Sequence, residues 1–313
     1  MKYYNYKARQ AGMTLIELTV VLLVLIDLAG LMIPYVSGFV SKTHDATGDN
    51  NIANLNRNIQ RFQATAMKFP NNLQTLADVS GATYTNLMNT NSGVYTPVVY
   101  TEGGAGNMQI MSLRKAGITS IMDLNQTAGA FAGGSATFNA ASGTPISIGS
   151  GSGGGVVGML TVGLGAENAV GTDNYASVEE HLADATGRLK SDFNATCYDY
   201  VILGIGQESE LIGKSMSDAP IHFAQNGNMG PDNKYNRFVA IFEVDKSNAS
   251  AVTPAAPSVP VDATGTALTS VDCSVGGTQG ARFIGTAMLM APPHLWGLAH
   301  SLGHTYNNIA AGN

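Results

Sequence analysis

Four places in this 313-residue chain combine residue types and spacings that could do chemistry. His300 and His304 stand four apart, on one face of any helix there, with His294 nearby. Two histidines at that spacing can ligate zinc, but a zinc peptidase also needs glutamate directly after the first, and Ser301 stands there. Gly213-Lys214-Ser215 ends like a phosphate-binding loop. That motif needs glycine five residues earlier, and Glu208 occupies the position. An acidic side chain where backbone amides should cradle phosphate argues against a nucleotide site. Oxygen donors gather at Asp232, Asn233 and Asn236 and again, in a second polar turn, at Asp45 and Asp49, too few to assign a calcium site. No Ser/His/Asp or Cys/His arrangement has an interpretable spacing. The first three places therefore predict no enzyme, no metal site and no cofactor.

The fourth place is Glu17. From Met13 to Phe39 the only charges are Glu17 and Asp27, and an apolar run of about twenty residues can cross a bilayer as a helix. An ionised carboxylate in hydrocarbon costs several kcal/mol unless it is paired, so Glu17 reads as functional. Before the run lies a short leader with Lys2, Lys7 and Arg9, ending in Gly12. A secretory signal would be cut after its apolar region. Here the candidate cleavage point precedes it, so cutting would discard the basic leader and keep the helix.

Gly12-Met13-Thr14-Leu15-Ile16-Glu17-Leu18 and the apolar run behind it resemble the type IV prepilin family, which includes pilus subunits and the pseudopilins of type II secretion. The resemblance covers roughly residues 1–70. It implies that a prepilin peptidase cuts after Gly12 and methylates the new amine at Met13, leaving 301 of the 313 residues. Glu17 would then pair with the terminal amine of a neighbouring subunit, which supplies register, because a mis-stacked subunit buries both charges unpaired. Pro34 stands where many members carry a proline that kinks the long helix. Ile26-Asp27 departs from the family, in which a small residue such as glycine is common there. Asp27 either bonds backbone groups loosened before Pro34 or is simply protonated or hydrated. The implied partners are copies of the chain or related pilins, the peptidase, an assembly ATPase and an inner-membrane platform. The implied location is a bacterial inner membrane, then a periplasmic or extracellular filament.

Those residues must be positioned by the elements that follow. Beyond Pro34, Ile52, Leu55, Ile59, Phe62, Ala66 and Phe69 recur at spacings of three and four, an apolar stripe opposite a solvated face of Asn54, Asn56, Arg57, Asn58, Arg61 and Lys68. Pro70 should end this helix, which from Met13 to Phe69 would be on the order of 80 Å long. Phe69–Leu76 reads as a turn into a short helix. Strands are predicted at Val94–Tyr100, Met108–Leu113, Val156–Leu164, Tyr198–Ile205, Phe238–Val244 and Phe283–Met290, and a helix at Glu179–Leu189. Gly149–Gly155 is a Gly/Ser tract, and Thr253–Pro260 holds three prolines.

The expected fold class is α+β and pilin-like. A long kinked N-terminal helix, apolar in its first half and amphipathic in its second, packs against a β-rich globular head. The expected divisions are a leader (1–12), a membrane or filament-core helix (13–39), its amphipathic continuation (40–70) and the head (71–313).

Composition fits an exported chain: charged residues are only 12%, the formal charge is −6, and no basic patch suggests nucleic-acid binding. Cys197 and Cys273 are the two cysteines, an even count that permits one disulfide outside the cytoplasm; two separate buried thiols are the other reading. The function expected is a structural filament subunit. Its rivals are a minor subunit whose enlarged head binds a surface or ligand, and a membrane-anchored exported hydrolase using the histidine-rich tail.

Overall fold

A computed structural model describes residues 15–76, 95–101, 107–123, 144–148, 156–163, 175, 177–220, 237–246, 279–290 and 294–297. The chain divides into two compact units, residues 1–46 and 47–313. In the first, helix α1 starts at Leu15 and runs without interruption through Pro34; its assigned end, Ala66, lies in the second unit.

Among the described residues of the second unit, nine strands form one sheet: β1 (Leu73–Gln74), β2 (Tyr95–Thr101), β3 (Ser120–Asp123), β4 (Thr144–Ser147), β5 (Val156–Val162), β6 (Tyr198–Gly204), β7 (Arg237–Asp245), β8 (Arg282–Met290) and β9 (His294–Trp296). Its main path is β4-β3-β1-β6-β7-β8-β9, and β5 branches from β6 to carry β2. The sheet is mixed, because β1 and β3 run parallel while the other pairs are antiparallel.

The central strands bury both faces. Val201 and Leu203 of β6, and Phe238, Ala240, Phe242 and Val244 of β7, face one core with Ile52, Leu55, Ile59 and Phe62 of α1. Ile110 and Leu113, from helix α2 (Asn107–Lys115), join the same core. The alternate residues Tyr200, Ile202, Val239 and Ile241 face a second core with Leu182 and Ala185 of helix α3 (Val178–Thr186). Period-two alternation with apolar side chains on both faces is what a sheet covered on both sides requires. In β8 the alternation slips at a bulge beside Ile241 and Phe242, so that Phe283 and Met288, an odd distance apart, share one face.

This overturns the expected fold class. The head is one mixed sheet held between helices on its two faces, not a β-rich body resting on a single helix. Among the described residues, no helix is long and apolar enough to cross a membrane. Helix α1 also passes Pro34 without a break.

Local expectations need four corrections. Met108–Leu113 belongs to α2, not to a strand. Helix α1 ends three residues before Phe69, because Met67 turns into the left-handed region (φ 56) with its N–H on the Gln63 carbonyl at 2.9 Å. Ala66 is accordingly exposed. Phe69–Leu76 forms no helix and supplies β1. Asp45 and Asp49 lie within α1 rather than in a turn. The Gly149–Gly155 tract and Thr253–Pro260 lie outside the described residues.

Candidate functional site

Gly12 and Met13 lie outside the described residues. Glu17 falls in the first described turn of α1. Around it, every described large apolar residue from Leu15 to Met32 is at least half exposed, from Val21 at 52% to Leu15 at 81%. Because Val20–Ile26 are consecutive, the apolar surface goes all round the helix. Within this stretch Thr19 satisfies its hydroxyl locally, donating to the Ile16 carbonyl at 2.9 Å. Asp27 lies on the same helix and is exposed; Pro34 is helical in backbone.

Further along, α1 changes character and becomes a docking helix. Ile52, Leu55, Ile59 and Phe62 are almost fully buried, as their spacing predicts. Polar bonds fix the contact with β8: the Thr286 N–H donates to Asn56 Oδ1 at 2.9 Å, and the Thr286 hydroxyl donates to the Ile52 carbonyl at 3.0 Å.

Where α1 ends, charges converge on Glu210. Its carboxylate accepts from Lys68 Nζ (2.9 and 3.1 Å), Lys214 Nζ (2.8 Å) and the Asn71 N–H (3.1 Å). Burial alone would raise this carboxyl, but the bonds from Lys214, Lys68 and the Asn71 amide, together with the Lys68 charge, lower it to about 2. The Gly213-Lys214-Ser215 turn is thereby accounted for. Gly213 takes φ 79 to close a tight turn, its N–H on the Met216 carbonyl, and Lys214 is committed to Glu210 and to the Phe62 ring at 5.6 Å. Glu208, the residue that breaks the phosphate-loop pattern, accepts from Gln74 Nε2 at 3.3 Å.

A second polar network closes the far end of β6, β7 and β8. Glu243, 8% exposed, takes both Arg282 Nε (2.9 Å) and Nη2 (2.8 Å), and accepts the Tyr200 hydroxyl at 3.0 Å. Such a bidentate pair is geometrically demanding and stiffens the strands it joins. Burial first, then the Glu243 charge, pushes the Tyr200 hydroxyl far above its ordinary range, so it stays a donor. The Glu243 bond raises Arg282 in turn. These groups are all paired with one another, which is the arrangement of a structural clamp.

Immediately before β6, Cys197 is disulfide-bonded. The chain's other cysteine, Cys273, lies outside the described residues. Among the histidines expected to cluster, His294 begins β9, while His300 and His304 lie outside the described residues, as do Asp232, Asn233 and Asn236. Among the described residues, no group of three or more His, Cys, Asp or Glu side chains could hold a metal ion. Sequence reasoning missed Glu210 and Glu243, whose partners are distant in the chain; no local pattern marks either.

No family model, curated protein or solved structure matches the chain.

Proposed function

We propose that this chain is a structural filament subunit of the prepilin type. It would be held in a membrane by its N-terminal helix, cut after Gly12, methylated at Met13 and polymerised with copies of itself or related subunits. The peptidase, assembly ATPase and inner-membrane platform are the partners this reading requires.

The observation that carries the reading is the exposed apolar circumference of α1 from Leu15 to Met32. A helix apolar on all sides must be covered by lipid or by other helices, since it has no polar face to give to water. The sequence prolongs the apolar run through Ile33, Tyr35 and Val36 to Phe39, which makes lipid a workable first cover. Neighbouring subunits are the second cover. Glu17 supplies the reason to exchange one for the other, because the amine freed at Met13 of a neighbour offers it a cationic partner away from water. The head fits a structural role: its described ionisable clusters bond inward, Lys68, Lys214, Arg282 and Tyr200 being committed to Glu210 and Glu243.

Shearing cells that make the chain together with its assembly partners should release thin filaments in which this chain is the main component, seen by electron microscopy and by blotting. A chain that stays wholly in the membrane fraction of cells that assemble filaments from other subunits would contradict the proposal.

A further inference from the structure

The joint after α1 is built from residues that would not hold it unaided. Met67 and Asn72 take φ 56 and 59, a region that side chains other than glycine rarely adopt, so surrounding bonds must maintain them. Asn71, between them, accepts on Oδ1 from the Thr119 N–H (2.8 Å) and the Ser120 N–H (3.3 Å), which ties the turn to the start of β3. Asn72 adds a backbone bond to the Ser120 carbonyl (2.9 Å) and accepts the Ser120 hydroxyl (2.8 Å). From the other side comes Glu210, in the connection after β6. Its N–H donates to the Asn71 carbonyl at 3.0 Å, while its carboxylate takes the Asn71 N–H, so the two residues are bonded in both directions. The same carboxylate holds Lys68, two residues past the helix, and Lys214, whose ammonium also lies over Phe62 in the last full turn of α1. One side chain thus binds the helix end, the turn and the β6 connection together.

We propose that Glu210 is the positioning residue that locks the joint between the end of α1 and the sheet. The helix axis cannot change direction at Met67 without breaking the Lys68 and Asn71 bonds to this carboxylate. Resting on the filament reading above, the consequence is that the docked part of α1, residues 47–66, keeps one position on the sheet in every subunit.

The test uses the full-length chain in detergent, comparing wild type with Glu210→Gln and with Leu295→Ala, a core change on the opposite face of the sheet. Glutamine keeps the shape, and can still accept from Asn71, but loses the charge that gathers the two lysines. Amide hydrogen exchange at Asn71, Thr119 and Ser120 should quicken about tenfold or more in Glu210→Gln, with the amides of β6 and β7 unchanged. Leu295→Ala should not loosen those three amides selectively. Wild-type exchange at all three in Glu210→Gln would overturn the proposal, as would an equal loosening from Leu295→Ala. Filament yield per folded subunit should fall several-fold in Glu210→Gln alone. Should wild type itself give no filaments, the filament reading fails while the exchange arm still decides the joint.

Discussion

Glu17 is the residue on which assembly should depend most, and it is also the one most legible in the sequence. A lone early carboxylate in an apolar run can be seen without knowing any tertiary contact. Replacing it by alanine makes the first turns of α1 more apolar and leaves the two cores of the head untouched, since none of their described side chains comes from before Ile52. Membrane insertion and folding should survive Glu17→Ala. Filament yield should drop sharply, because each added subunit would bury an amine without its carboxylate, at about 3–5 kcal/mol for a broken buried pair. A shear-and-blot assay normalised to processed subunit reads this directly, and normal yield would give the carboxylate some other purpose. Glu210 is the opposite case. Lys68 lies 142 positions away in the chain, and no motif or periodicity joins two such residues before the fold does.

At the scale of elements, long patterned segments were readable and short ones were not. The stripe from Ile52 to Phe62, the strands β5 to β8 and helix α3 follow from periodicity, with Ser177 capping α3 and Gly187 ending it at φ 72. Helix α2 was misread because Met108–Leu113 is a short apolar run, which periodicity alone cannot assign to helix or strand. Strands β1, β3, β4 and β9 are two to four residues long and owe their existence to a neighbour, not to a local signal. The end of α1 was misplaced because a methionine, not a glycine, takes the left-handed position. The joint at that end has a measurable acid limit. Glu210 titrates near 2 when folded, below the about 4.3 of an unperturbed glutamate. Its contribution is therefore complete above about pH 4.3 and is lost as pH falls through 2. The shift corresponds to about 3 kcal/mol as an upper bound, reduced by the partial exposure of both lysines. Acid unfolding followed between pH 5 and 2 should show this loss in wild type and lack it in Glu210→Gln; identical profiles would remove the ion pairs from the stability of the joint.

Across the whole molecule, the sequence distinguishes an N-terminal apolar segment from a polar, glycine-rich remainder, but not the layering of that remainder. Strands β6, β7 and β8 are apolar on both faces, and the helices covering them come from residues 47–66, 107–115 and 178–186, an order that no local pattern announces. The bulge in β8 hides the layering further by shifting its alternation midway. The central claim, that the chain is a processed filament subunit, is tested most directly by the mass of its first peptide. Protein recovered from a sheared surface fraction should begin at Met13, carry one methyl group on its terminal amine and contain 301 of the 313 residues. Recovery of assembled protein that still begins with Met1 and the Lys2–Gly12 leader would contradict the account.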